Sequence, residues 1–256
     1  MSGLIIKNRE IGTGRPAICV PVMDQKQDKI IEEITYLASS SADIIEWRVD
    51  AFENFRDYNA IRDILAAIKP VLKEKIFLYT FRSRKQGGMA EADTELLDDL
   101  HELAAESDTV NLVDLEYFEE ERPVRKIRQL QARGIKVVAS HHDFEQTPPP
   151  EVMKMLLEKM CAGGADIVKL AVMPRNLENM LTLLKITEQF HKENPDTPII
   201  TMAMGKIGRM SRLCGEDFGS CVTFGAHKTC SAPGQFEMNQ LATVLDIIHS
   251  SNENGK

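Results

Sequence analysis

Eight times along the chain a short apolar segment gives way to a longer stretch with helical periodicity, and this alternation constrains the fold more than any other feature. The apolar segments are AICVPV (17–22), IIEWRVD (44–50), KIFLYTF (75–81), NLVDLEYF (111–118), KVVASHHDF (136–144), IVKLAVMP (167–174), IITMAM (199–204) and SCVTFGA (220–226). Residues 149–162 illustrate the intervening kind: Val152, Met155, Leu156, Lys159 and Met160 fall at helical spacing, and Gly163-Gly164 supplies a stop. Repeated βα units without a linker predict a closed (β/α)8 TIM barrel. An open doubly wound sheet would want a glycine-rich first turn, and PVMDQKQD has no glycine. A length of 256 residues suits one such barrel, so a single domain over 1–256 is expected. Ahead of the first strand, the apolar runs of LIIKNREIGTGRPAI flank Gly12-Thr13-Gly14, which predicts an N-terminal β-hairpin capping the barrel floor.

Parallel strands covered on both faces should be nearly continuous hydrophobic runs, yet several here carry polar residues at every second position. Ile45, Trp47 and Val49 share one face, while Glu46 and Arg48 share the other. The same split sets apart Thr80 and Arg82, Asp114 and Glu116, Ser140 and His142, and Lys169 opposite Val168 and Leu170. The charged faces should point into the barrel. Charge is costly there unless paired, so five converging strands imply either an internal salt-bridge network or an active site. Asp114 and Glu116 suit the role of holding Arg48, Arg82 or Lys169 in place. A lone histidine such as His142 is more often packed than reactive, and His141 should face the helix layer or rim.

Lys169 is harder to assign to structure alone. Between isoleucine, valine and leucine it must be paired or neutral, because desolvation disfavours the ammonium form. At a pKa of about 10.4 roughly 0.04% of such side chains would be neutral at pH 7, whereas a drop of about 3 units makes roughly a third nucleophilic. A lysine tuned in this way forms imines with carbonyl substrates.

The formal net charge of -8 and a pI near 5.4 would repel a phosphate backbone, so nucleic acid is not an expected partner. An acidic protein still binds small anions where its cations gather, which turns attention to the loops after the last two strands. GKIGRMSRLCG (205–215) and AHKTCSAPGQ (226–235) occupy the positions that often bind phosphate in barrels. Arg212 suits a bidentate grip on a carboxylate or phosphate, with Ser231 and Gln235 as further donors. Gly225 and Gly234 near the ends of the second loop, with small residues between, suggest a lid over 225–235. The five cysteines are scattered, with no C-x-x-C pair and no histidine at zinc-finger spacing, which argues against disulfides and structural zinc. No apolar run approaches the roughly 18 residues of a membrane span, and the N-terminus lacks a long apolar core, so the expectation is a cytoplasmic protein with no membrane partner.

EWRVD (46–50), TFRS (80–83), SHHDF (140–144), GADIVKLAVMP (164–174), SRLCGEDFGS (211–220) and SAPGQ (231–235) together resemble type I 3-dehydroquinate dehydratases of the shikimate pathway. The resemblance runs in order through nearly the whole chain. It implies that Lys169 forms a Schiff base with the substrate ketone and that His142 is the general acid/base. It also implies syn elimination of water from 3-dehydroquinate to give 3-dehydroshikimate, in the biosynthesis of aromatic amino acids. Glu46, Arg48 and Arg82 would bind the ring hydroxyls, and Arg212, Ser231 and Gln235 the carboxylate. No metal or organic cofactor is implied, and a homodimer is. Two positions depart from the family's pattern: Gln86 stands where relatives often carry glutamate, and Pro21 where they can have serine. Acid/base duty assigned to the former cannot transfer. A class I aldolase would use the same barrel lysine and anion loop, and only a preference for phosphate over carboxylate separates it. A catalytically silent barrel is disfavoured by the joint presence of Lys169, His142 and Arg212.

Overall fold

The computed structural model describes residues 3–254. An antiparallel hairpin of β1 (Leu4–Ile6) and β2 (Arg9–Ile11) precedes β3 (Ala17–Val22), β4 (Ile44–Arg48), β5 (Ile76–Thr80) and β6 (Leu112–Glu116). Next come β7 (Lys136–Asp143), β8 (Ile167–Val172), β9 (Ile199–Ala203) and β10 (Val222–Ala226). Strands β3 to β10 run parallel and pair in chain order, with β10 returning beside β3. The ring closes where Ile199 bridges to Ser220 and the Cys221 N–H donates to the Ile199 carbonyl at 2.8 Å. This is the (β/α)8 barrel that the alternation predicts. A two-residue strand, β11 (Phe236–Glu237), pairs with the end of β10.

Helices α1 (Gln27–Ala38), α2 (Tyr58–Leu72), α3 (Thr94–Glu106), α4 (Pro123–Ala132), α5 (Pro150–Ala162) and α6 (Leu177–Glu193) fill the crossovers. One-turn helices α7 (Gly205–Gly208) and α8 (Gly215–Phe218) lie between β9 and β10, and α9 (Met238–Asn254) ends the described chain. Helix α2 shows the local logic. The Asp57 carboxylate caps it by accepting the Asn59 and Ala60 amides at 3.0 and 3.2 Å, a contact worth about 1 kcal/mol. Ile61, Ile64, Leu65 and Ile68 then form its buried stripe. They pack in one cluster with the outward strand residues Ile45, Trp47, Phe77 and Tyr79, each large apolar side chain contributing about 1.5–3 kcal/mol by burial.

Three local expectations are corrected. Helix α5 buries Met153, Leu156, Leu157 and Met160, whereas Val152 and Met155 are exposed: the apolar stripe is wider than the face that packs, and the strand beneath selects one side. The hairpin turns at Lys7-Asn8, not at Gly12–Gly14. A two-residue loop with Lys7 at φ 52° matches the twist of the paired strands, which leaves the glycines to link β2 to β3. Strand β4 stops at Arg48 because a 3-10 turn over Val49–Ala51 swings the Asp50 carboxylate inward, where it accepts the Arg82 and Met89 amides at 3.1 and 2.9 Å.

The hairpin does cap the floor. Ile6 and Ile11 are buried in one cluster with Cys19, Ile44, Ile76, Leu112 and Ile167, the inward residues at the N-terminal ends of the strands. Above this apolar layer the inward positions of β4, β6 and β7 become polar, while Met202 of β9 and Phe224 of β10 stay apolar. Among the described residues no helix is long and apolar enough to cross a membrane.

Candidate active site

Strand parity carries Glu46 and Arg48 on β4, Asp114 on β6, Ser140 and His142 on β7 and Lys169 on β8 to the barrel axis, and Arg82 joins them from just past β5. Asp114 is the hub. Its Oδ1 lies 2.8 Å from Arg82 Nη2 and accepts the Ser140 hydroxyl at 2.6 Å, and its Oδ2 receives Lys169 Nζ at 3.2 Å. Burial alone would raise this carboxyl, but Arg82 and Lys169, together with the Ser140 hydroxyl, bring it down to about 2. Arg82 also donates to Glu116 Oε1 and Ser140 Oγ, each at 3.0 Å. Burial opposes its charge, yet Asp114, Glu116 and Glu46 hold the guanidinium above its ordinary value.

Arg48 does not share these carboxylates, contrary to one of the options the sequence left open. It makes a two-pronged contact with Asp50, both bonds 2.8 Å. Burial pushes the Asp50 carboxyl up, but Arg48 and the Met89 and Arg82 amides hold it below the ordinary range. Sequence reading missed Asp50; its spacing of two from Arg48 was the available signal, hidden because the chain leaves the strand between them. Glu46 accepts the Thr80 hydroxyl at 2.9 Å.

Lys169 is 3% exposed and paired, one of the two states a buried lysine can take, and its Nζ sits 4.5 Å over the Phe224 ring. His142 is half-buried at the same cavity, where burial and then the charges of Arg82, Lys169 and Arg48 hold its ring well below the ordinary histidine value. His141 points the other way, edge-on to Phe118 with ring centroids 5.4 Å apart. Gln86 contacts His142 twice, through the backbone N–H and Nδ1.

The last two loops close over this floor. Ser231 and Gln235 line the cavity and bond each other: the Ser231 amide donates to Gln235 Oε1 at 2.8 Å and Gln235 Nε2 to Ser231 Oγ at 2.9 Å. Gly234 has φ 84°, and a Cβ there would meet the Gly205 carbonyl oxygen at 2.5 Å, so the two loops touch through backbone. Arg212 does not line the cavity. It lies behind Met202, which does, with Nη1 3.7 Å from that sulfur and Nη2 donating to the Pro233 carbonyl at 3.2 Å. It is 1% exposed, its Nε has no partner, and no carboxylate among the described residues pairs with it. Burial pulls it down to about 10. A desolvated guanidinium without a counter-ion favours an anion brought near it.

A wider cleft of about 740 Å³ opens between α3 and α4, where Lys126 pairs with Asp98 and Arg133 with Glu102 across it. Chemistry belongs at the barrel mouth, where a lysine, a histidine and an unmatched arginine converge.

The profile of the family described as Type I 3-dehydroquinase matches residues 18–252. The chain is 43% identical over 250 residues to the 3-dehydroquinate dehydratase of Listeria welshimeri, covering 97% of this chain and 99% of that protein. It is similar to the crystal structure of a type I 3-dehydroquinate dehydratase from Clostridium difficile with covalent modified comenic acid, with a TM-score of 0.93 and 39% identity over 97% and 98% of the two chains. The Geobacillus kaustophilus 3-dehydroquinate dehydratase structure gives a TM-score of 0.93 at 33% identity, covering 98% and 99%. By sequence pattern, overall identity and three-dimensional likeness, the chain belongs to the type I 3-dehydroquinase family.

Proposed function

We propose that the protein is a 3-dehydroquinate dehydratase that works through a Schiff base on Lys169. The observation that carries the reading is a buried lysine held 3.2 Å from Asp114, with His142 at the same cavity and an unmatched Arg212 behind its wall. The lysine amine adds to the substrate ketone and expels water, giving a protonated imine. This cation draws electrons from the neighbouring C–H bond, whose proton passes to the neutral His142 ring while the carbon–hydrogen electrons form an enamine double bond; the ring then holds the proton it gives up in the next step. Syn loss of the β-hydroxyl as water, with its proton supplied by His142, completes the elimination, and hydrolysis of the imine returns Lys169 and 3-dehydroshikimate. Lys169, Asp114 and Arg82 sit together, so the Asp114 carboxylate faces the positive imine as it forms.

Glu46, Arg48 and Arg82 orient the ring hydroxyls, while Ser231 and Gln235 take the carboxylate and Arg212 supplies positive charge to it from behind Met202. Of the segment 225–235 expected to form a lid, Gly225 and Ala226 belong to β10, and the loop over 227–235 acts as the lid of the site. It is hinged where Glu33 of α1 holds His227 Nδ1 and Lys228 Nζ, each at 2.5 Å, and where Tyr36 stacks on His227 at 4.3 Å. The reading carries with it one catalytic domain, active in the cytoplasm within the shikimate pathway as a homodimer. Ultraviolet absorbance of the conjugated product after mixing with 3-dehydroquinate tests the activity. Borohydride added with substrate tests the intermediate: inactivation should leave a mass adduct on the Lys169 peptide, and an adduct on another lysine refutes the imine assignment.

A further inference from the structure

The buried stripe of helix α3 consists of Leu96, Leu100, Leu103 and Ala104 with one polar residue among them, His101, which is 5% exposed. Burial, reinforced by the charge of Lys126, holds its ring down to about 4 against the pull of Asp98 and Asp114, so the imidazole is neutral at pH 7. Its Nδ1 is shielded from solvent and meets no hydrogen-bonding partner. Ser83, the residue after Arg82, opens the 3-10 turn Arg84–Gln86 without capping it, and its Oγ is likewise shielded and without a partner. Both side chains line one cavity of about 30 Å³ between α3 and the ends of β5 and β6, and Glu116 lines it with them. Glu116 Oε1 is already taken by Arg82 Nη1 and the Ser83 amide, at 3.0 and 2.9 Å, and its Oε2 is left to accept. Native proteins rarely leave two buried polar atoms unsatisfied at one small cavity.

We propose that this cavity is a binding site for an ordered water, which joins His101 of α3 to Ser83 and Glu116 and so steadies the carboxylate that holds Arg82. The size fits. A water needs about 10–15 Å³ of such space and roughly two to four polar partners, so the cavity admits water and is too small for an organic ligand. The chemistry of the partners fits as well. A carboxylate oxygen only accepts and a hydroxyl does either, so the water donates to Glu116 Oε2, shares a bond with Ser83 Oγ, and meets Nδ1 as donor or acceptor according to the ring's tautomer. Glu116 is then held on both oxygens, and its place no longer depends on Arg82 and one amide alone. Arg82 reaches on to Asp114 and Ser140, which makes the water a support, at one remove, for the groups that would meet the substrate. This consequence for turnover rests on the dehydratase reading, but the water site does not.

A high-resolution crystal structure of the full-length wild type should show a water within about 3.2 Å of His101 Nδ1, Ser83 Oγ and Glu116 Oε2. A dry cavity, or a water that touches only one of the three, overturns the proposal whether or not any variant folds. Kinetics test the consequence. Ser83→Ala and His101→Leu should each raise KM about threefold to tenfold with kcat changed less, since Arg82 orients substrate. His101→Asn, whose amide stands near the place of Nδ1, should bring KM back toward wild type, a rescue that a mere packing role would not give. The double variant Ser83→Ala/His101→Leu should resemble the worse of the single ones, because both act through the same water. Unchanged KM in both single variants, or rises that multiply in the double one, refutes the support of Arg82. If the water is found but the wild type does not dehydrate 3-dehydroquinate, the site stands and the functional reading fails.

Discussion

Replacing Asp114 with asparagine keeps the shape of the hub and removes its charge, leaving Arg82 and Lys169 buried without the carboxylate they share. Lowering a fully buried carboxyl from its ordinary 3.8 to about 2 corresponds to about 2 kcal/mol of folding free energy at neutral pH. The variant bears this and the strain of uncompensated cations as well, so a total loss of about 3–5 kcal/mol is expected. The sign with pH is definite. The folded carboxyl is depressed, so its contribution is complete above about 4 and disappears as pH falls through about 2. Roughly half of the 2 kcal/mol is gone by pH 3. Urea unfolding of both proteins at pH 7 and pH 3 should show a gap that narrows by about 1 kcal/mol at the lower pH. Equal unfolding midpoints at pH 7, or a gap that widens in acid, would refute the assignment of Asp114 as the charged hub.

His142→Ala should lose at least about a hundredfold in turnover with binding largely kept, the lower end for a positioned acid/base, while His141→Ala stays near normal because that ring packs against Phe118. The opposite pattern would mean the wrong member of the pair was assigned. Trypsin should cut after Lys228 in the free enzyme and severalfold more slowly with saturating ligand, with distant sites unchanged; equal rates would count against a lid. Glu33→Gln, by loosening the hinge under Lys228, should speed that cut in the free enzyme. Activity should survive EDTA and dialysis, since the sequence shows no metal-ligand spacing, and recovery only on adding a divalent ion would overturn a cofactor-free mechanism.

Much of the architecture was legible because period-two patterning is a property of the strand itself. Polar residues interrupting apolar strands led directly to Arg48, Arg82, His142 and Lys169, and the structure brings these to one cavity. What escaped reading depends on where the chain stops being a strand. Asp50 is two residues from Arg48, yet the pair forms only because a 3-10 turn intervenes. Gln86 could be noted in sequence only as a departure, since its partner lies 56 residues away and the contact requires the reversal at Gly87. Arg212 was read only as a bidentate grip for a carboxylate or phosphate; its place behind Met202, with Nη2 on the Pro233 carbonyl, depends on how the loops after β9 and β10 pack, which no local pattern encodes. The choice of face on α5 was likewise made by its neighbours.

The hairpin beneath the barrel has a bearing on traffic through the site. With Ile6 and Ile11 packed into the inward apolar layer, the barrel is a cup and not a tube. Substrate, product and the expelled water must use the same doorway, between the ends of the strands and the loop from His227 to Gln235. Product therefore cannot be pushed out from behind by the next substrate. Each turnover has to clear the cup before it can be refilled, and the pace of that exchange belongs to the rim.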